Sequence, residues 1–378
     1  MATLAKSISA SVKAIEQGKD NSRVVVAVKL ALIVLTVLLF LLSLDVMSSS
    51  FLSLRQTATE ITLSLTSNPF IGLFIGLLLT AVIQSSSTST SMVVALVGSG
   101  ALSLSAAVPI VMGANIGTSL TSTIVSLGYI TSKHGFRKAI SAGVVHDFFN
   151  LILMLILFPL EYYYQFLSGL SNRLAASLLH FIPDTELVAE SNSWSIGDYL
   201  TQAVDNNWFL VILSFIILFT AIKVMSRLIY SLLIGKSKDK LSKFVFNNPF
   251  KSFAWGGVIT ATVQSSSITT SLMVPLVASG KLSLLRSFPF IVGANIGTTI
   301  TALVAALFKS EAAISIALMH VLFNLLGVLL FLPYPPLRKV PVVLAGHFGK
   351  LTQQNRMIGF LYIILMFFLI PFLLIYFN

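Results

Sequence analysis

The sequence predicts an all-α integral membrane protein built from two inverted-topology repeats, each with a re-entrant helical hairpin and a broken transmembrane helix. Three observations carry that prediction. Of 378 residues, 56% are hydrophobic and 10% charged, a balance that no soluble domain of this size shows. Apolar runs long enough to cross a hydrocarbon core recur along the chain, among them Val24 to Leu44, Trp208 to Leu233 and Met357 to Phe377. A polar tetrad, Gln-Ser-Ser-Ser, stands inside an apolar stretch twice, at 84–87 and again at 264–267.

The first unit is expected to begin with a span near 24–44. It follows Lys6, Lys13, Lys19 and Arg23 and is too long for a signal-peptide core, so it reads as an uncleaved first span. An interrupted apolar region follows at 68–98. The arms on either side of its tetrad are each too short to span, which argues for a hairpin that returns to its own side. A second span near 105–130 is broken at Gly113-Ala114-Asn115-Ile116-Gly117-Thr118, and a third lies near 136–160.

The second unit repeats this order near 208–233, 249–280, 286–308 and 312–332, and a final span covers 357–377. The match is literal: Asn68-Pro69-Phe70 returns as Asn248-Pro249-Phe250, and the hexad Gly113–Thr118 returns as Gly293–Thr298, at a constant offset of 180 (264 less 84). Further on the offset becomes 174 (320 less 146), pairing His146-Asp147-Phe148-Phe149-Asn150 with His320-Val321-Leu322-Phe323-Asn324. Duplicated halves are a recurrent architecture of secondary transporters, with the site between them.

Three crossings per unit is an odd number, so the second unit runs in the opposite sense to the first. Loop charges agree. The amino terminus and the links carrying Lys133, Arg137 and Lys138, then Lys236, Lys238, Lys240 and Lys243, then Arg338, Lys339, Lys350 and Arg356 fall on one side, which positive-inside makes cytoplasmic. The segment with Glu161, Asp184, Glu186, Glu190, Asp198 and Asp205 falls outside. Lys281 and Arg286 in the second unit replace Ala101 and Ala106 in the first, so charge appears only where inversion puts the sequence inside. The chain thus divides into a cytoplasmic segment 1–23, a first repeat 24–160, an external (periplasmic) linker 161–205, a second repeat 206–333, and a cytoplasmic link with the final span at 334–378. The expected localisation is multi-pass in the cell inner (plasma) membrane, with a cytoplasmic amino terminus.

The net charge of +11 reflects this topology and not a nucleic-acid surface. Cysteine is absent, which removes disulfides and thiolate metal sites.

A buried irregular turn needs partners for its freed backbone groups. Serines at 85–87 and 265–267 are placed to cap the second arm of each hairpin, with Gln84 and Gln264 at the turns. Two helix amino termini facing each other attract an anion without any arginine. Hydroxyls, amides and the carbonyls of an unwound Gly-Ala-Asn-Ile-Gly-Thr turn are hard ligands suited to sodium. Small residues also serve close helix packing, so Thr88, Ser89, Thr90, Ser91, Thr269, Thr270 and Ser271 fit either role. Asp147 is the one carboxylate well inside a predicted span of either repeat, a candidate cation ligand or proton carrier. His146, His320, Asn150 and Asn324 read as interhelical hydrogen-bonding groups.

These motifs resemble the type II sodium-dependent phosphate cotransporter family, and the short, cysteine-free central segment resembles a bacterial member. The resemblance covers roughly 24–332. It implies phosphate contacts at Gln84, Ser85, Ser86, Gln264, Ser265 and Ser266. It also implies sodium ligands among Ser87, Thr88, Ser91, Asn115, Thr118, Asp147, Ser267, Thr270, Asn295 and Thr298, with Asp147 tied to an additional sodium ion. The implied function is a symporter that couples inward movement of inorganic phosphate to the sodium gradient by alternating access. Sodium would be co-transported, and no organic cofactor is implied. The partners are phosphate, sodium and the bilayer. The alternatives are a sodium-coupled carboxylate or other oxyanion transporter, disfavoured because the hairpins and broken spans hold no arginine at depth, and a membrane serine protease, disfavoured because the serine triplets are symmetric.

Overall fold

A computed structural model describes residues 22–54, 68–180, 195–204, 206–233, 245–307 and 310–377, all of its regular elements helical. Lys6, Lys13, Lys19, Asp184, Glu186, Glu190, Asp205 and the basic cluster Lys236–Lys243 lie outside these residues. Among the described residues seven helices are long and apolar enough to cross a membrane, the number that three crossings per unit plus a final span requires.

In chain order, α1 (Ser22–Ser53) is the first of these. Next, α2 (Pro69–Ile83) starts at Asn68, whose side chain accepts from Phe70 N at 3.0 Å, with Pro69 in the first turn where its missing N–H costs nothing. It ends at Gln84, and after a single extended residue α3 (Ser86–Gly98) begins. At 15 and 13 residues these two helices are about 22 and 20 Å long, against a hydrocarbon core of about 30 Å. Gly100, at φ 73°, turns the chain into α4 (Leu104–Gly117), followed by α5 (Leu120–Leu127) and α6 (Lys133–Tyr164).

The second half opens with α9 (Asn207–Leu233), after α7 (Phe166–His180) and α8 (Ile196–Ala203). Then α10 (Pro249–Val263) repeats the start of α2, with Asn248 accepting from Phe250 N at 2.8 Å. It stops at Gln264, and α11 (Ser266–Ser271) and α12 (Met273–Ala278) follow with a one-residue interruption at Leu272. Pro275 explains that interruption: it has no N–H to offer the carbonyl four residues back, and its counterpart in the first half is Ala95. The half closes with α13 (Leu284–Ala306) and α14 (Glu311–Phe331). Last come α15 (Pro335–Gln354) and the final span, α16 (Met357–Ile364) and α17 (Ile370–Phe377), joined by a π-helical turn at Leu365–Leu369.

One expectation is corrected. The Gly-Ala-Asn-Ile-Gly-Thr segments are not unwound. In the second half α13 runs through Gly293–Thr298 without a break. In the first, α4 gives way to α5 through a tight turn at Thr118 and Ser119 that keeps right-handed helical dihedrals. The glycines are there for contact. A Cβ on Gly113 would stand 1.8 Å from Leu73 O, and one on Gly293 would stand 2.0 Å from Phe253 O. Without side chains at those points α4 presses on α2 and α13 on α10 backbone to backbone.

Three helices stand where hydropathy marks only links. Glu161, at the end of α6, accepts from Leu167 N at 2.7 Å, from Ser168 N at 3.1 Å and from the Ser168 hydroxyl, so it caps α7. Asp45 on α1 accepts from Gly197 N at 2.9 Å and from the Ser195 hydroxyl, pinning α8 to α1. The third, α15, lies along α6, where Gly349 meets Ser141.

Candidate functional site

At both tetrads glutamine stands where a helix normally recruits glycine. Gln84 has φ 57° and Gln264 φ 54°, a left-handed conformation that costs a side-chain-bearing residue about 1 kcal/mol or more. Their backbone N–H groups close the preceding helices on Thr80 O at 2.7 Å and Thr260 O at 2.6 Å. Glycine would do this without strain. Gln165 ends α6 in the same conformation, at φ 49°, so the conformation alone does not mark the site; what sets Gln84 and Gln264 apart is that each opens a serine-capped turn and the two turns meet.

The next residue caps the following helix in each case: Ser85 Oγ accepts from Thr88 N at 3.3 Å and Ser265 Oγ from Ile268 N at 3.4 Å. The two tips touch, with Ser87 Oγ donating to Gln264 O at 3.2 Å. Gln84, Ser85, Ser265 and Ser267 open into one cavity of about 380 Å³. Ser86 and Ser266 are buried behind them, 4% and 2% exposed. Their carbonyls accept from Thr90 Oγ1 and Thr270 Oγ1, both at 2.8 Å.

The cavity has a third wall. Phe219, Ile222, Lys223, Ser226 and Arg227 line it from one face of α9. The hairpins hold no arginine, as the sequence shows, but the cavity they share does hold one, together with a lysine. The objection to a carboxylate reading that rested on the absence of arginine is therefore withdrawn. The spacing of these residues along α9 could have suggested a common face, but no feature of the sequence links that face to the tetrads.

The remaining candidate sodium ligands fall into two groups. Near the tips, Thr88 Oγ1 lies 2.9 Å from Ser85 Oγ, Thr270 Oγ1 lies 2.9 Å from Ser122 Oγ, and the buried Ser91 hydroxyl has no partner among the described residues. Deeper in the α4 and α13 helices, Thr118 and Thr298 donate back to Ala114 O and Ala294 O at 2.8 and 3.0 Å.

Asn115 and Asn295 are committed to a polar network between the halves. His146 Nε2 donates to Asn295 Oδ1 at 2.6 Å, and Asn295 Nδ2 to Asn150 Oδ1 at 3.0 Å. Reciprocally, His320 Nε2 and Asn324 Nδ2 both donate to Asn115 Oδ1 at 3.3 Å, and Asn150 Nδ2 reaches Asn115 O at 2.6 Å. These donors are fully buried, as an intramembrane polar group that is hydrogen-bonded can be.

Asp147 is set apart from that network and is also fully buried. Its Oδ2 accepts from Thr123 Oγ1 at 3.2 Å and from the Tyr362 hydroxyl at 3.1 Å, and the Ser119 hydroxyl lies against the same carboxylate. Its Oδ1 has no hydrogen bond among the described residues. The second half has no equivalent, since Val321 and Leu303 occupy the matching positions of Asp147 and Thr123. Tyr362 on the final span is a partner that the sequence does not point to.

Fold and site together define a multi-pass membrane protein in which the two Gln-Ser-Ser-Ser helix breaks meet at one partly open cavity, with the Asp147 carboxylate buried apart from it. A profile of the Na+/Pi-cotransporter family matches residues 39–171 and 217–367. The chain belongs to that family, whose members are transporters and not enzymes. It is 35% identical to sodium-dependent phosphate transport protein 2A of Rattus norvegicus over 415 residues, covering 88% of this chain and 65% of that protein. It is 34% identical to the Ovis aries protein of the same name, covering 92% and 67%. With sodium-dependent phosphate transport protein 2B of Homo sapiens it shares 31% identity, covering 88% and 62%. The chain thus spans about two thirds of the length of these curated relatives. No solved structure matches it.

Proposed function

We propose that this chain is a secondary active symporter that carries inorganic phosphate inward with sodium by alternating access. The carrying observation is that the two Gln-Ser-Ser-Ser turns touch and open into one cavity. In this reading phosphate is held between the tips by Gln84, Ser85, Ser86, Gln264, Ser265 and Ser266. Each helix offers first-turn N–H groups and a positive end, and the serine hydroxyls supply further donors.

Sodium is the second substrate. One set of hard oxygens lies at the tips, with Ser87, Thr88, Ser91, Ser267 and Thr270 as the contributing residues. A separate position is assigned to Asp147, where a buried carboxylate with an unbonded oxygen stands among three hydroxyls. Asn115 and Asn295 hold the halves together in this conformation, and Thr118 and Thr298 bond their own helices.

The two units, 24–160 and 206–333, are read as inverted repeats whose short helix pairs are re-entrant hairpins. The lengths of α2 and α3 and the reciprocal His–Asn contacts support this. The segments 1–23, 161–205 and 334–378 complete the division, and the loop charges favour a cytoplasmic amino terminus in a plasma (inner) membrane.

The test is uptake of labelled phosphate into proteoliposomes with and without an inward sodium gradient. Sodium-driven accumulation is expected; absent or sodium-independent uptake would sink the reading. Because Lys223 and Arg227 line the cavity, a sodium-coupled carboxylate or other oxyanion is the second reading. Inhibition of phosphate uptake by a dicarboxylate at equal concentration, with sodium-driven accumulation of that dicarboxylate, would favour it.

A further inference from the structure

We infer that α9 is a working wall of the anion cavity, where Lys223, Ser226 and Arg227 hold a tetrahedral oxyanion on its way to or from the helix tips. This rests on the proposed phosphate transport and adds an asymmetric station to a site that the duplicated tetrads alone would make symmetric.

The two cations lie one helical turn apart on the face that lines the cavity. Among the described residues neither has a carboxylate partner. The Lys223 ammonium rests 4.5 Å from the centre of the Phe219 ring, a contact that holds a cation in place without neutralising it. A charge kept unpaired within a membrane-spanning helix marks a substrate path by default.

Lipid anchoring is the plain alternative, because long basic side chains near a helix end reach for headgroups. It leaves Ser226 unexplained. Ser226 is 2% exposed, lines the same cavity between the two cations, and its hydroxyl has no hydrogen-bond partner among the described residues. A buried hydroxyl without a partner carries a cost that a bound oxyanion removes. The Thr121 hydroxyl, which lines the same cavity, is likewise buried and unpartnered among the described residues. Two exposed cations, the idle Ser226 and Thr121 hydroxyls and the Ser85-capped start of α3 therefore line one space. The first span offers no such wall, having neither lysine nor arginine between Leu30 and Ser53.

Attraction by the pair is electrostatic and screened by salt, with a Debye length of about 10 Å at 0.1 M. The experiment compares sodium-driven phosphate uptake by wild type, K223Q/R227Q, K223R/R227K and S226A in proteoliposomes at low and high ionic strength. The double glutamine variant is expected to need at least about tenfold more phosphate for half-saturation, with its maximal rate and sodium half-saturation near wild type. It should also lose most of the salt dependence of phosphate uptake. The charge-conserving swap should restore both, and S226A should raise the half-saturating phosphate severalfold.

An unchanged half-saturating phosphate and salt dependence in K223Q/R227Q, beside an active wild type, overturns the inference and leaves the two residues as lipid anchors. If the glutamine variant fails to purify as a monodisperse protein, S226A against wild type decides the matter in the same assay. If the wild type itself takes up no phosphate, the transport reading fails separately. Equilibrium binding of labelled phosphate to the detergent-solubilised proteins then tests the wall directly, and equal binding by wild type and variants overturns it.

Discussion

His146 Nε2 donates to Asn295 Oδ1 at 2.6 Å, so the third span of the first half is tied to the Gly-Ala-Asn-Ile-Gly-Thr helix of the second. The same contact recurs with the halves exchanged, between His320 and Asn115 at 3.3 Å. Reciprocal contact of this kind is what the proposed two-fold relation between the halves requires. It places a hydrogen-bonded seam where any rocking of one half against the other would have to pivot or break.

Replacing His146 by alanine should lower thermal stability in detergent, since Asn295 Oδ1 would be left in a closed apolar setting. A buried pair of this type is worth about 0.5–2 kcal/mol in a membrane protein. A double-mutant cycle with Asn295→Ala should give coupling of that size, while an additive result would mean the contact contributes nothing.

Gln84→Gly separates turn geometry from side-chain chemistry. At φ 57° glycine relieves the strain, so the variant should fold at least as stably as the parent, by up to about 1 kcal/mol. Phosphate uptake should nevertheless fall by tenfold or more. Full uptake at normal affinity would remove Gln84 from the binding set.

Asp147→Gly should reduce the charge moved per phosphate, measured as the ratio of current to tracer uptake in the same membranes. Tyr362→Phe removes one of two hydroxyls that donate to Oδ2 and should shift sodium half-saturation with little effect on that of phosphate. An unchanged ratio in the first variant would exclude Asp147 from a charge-carrying role.

Sidedness can be read with single cysteines, because the chain has none of its own. Ser103 and Ser283 are matching, exposed residues of the two halves. Inversion predicts that an impermeant maleimide labels Ser103→Cys from one face of the membrane and Ser283→Cys from the other. Labelling of both from one face contradicts inverted topology.

Much of this was legible in the chain itself. The spans could be read because lipid selects long apolar helices whatever their neighbours, and the turns because Asn-Pro, Gln-Ser-Ser and Ser-Gly act on adjacent backbone. The hexad at Gly113 was misread as unwound. Glycine permits both a broken helix and a close packed one, and only the opposing Leu73 carbonyl decides between them. The roles of Asn115 and Asn295 were obscured for a similar reason: an amide that can hold sodium can equally accept from a histidine.

By itself, then, the sequence determined the seven spans, the duplication, the paired polar turns and the placing of Asp147 well inside a span, all of them consequences of local dihedral preference and of partition into lipid. The tertiary structure decided which faces meet: the two tips across one cavity, Lys223 and Arg227 on its third wall, Tyr362 against Asp147, and each histidine on the other half's asparagine. Those pairings join residues far apart in the chain, and they depend on backbone approach and side-chain packing that local sequence does not encode.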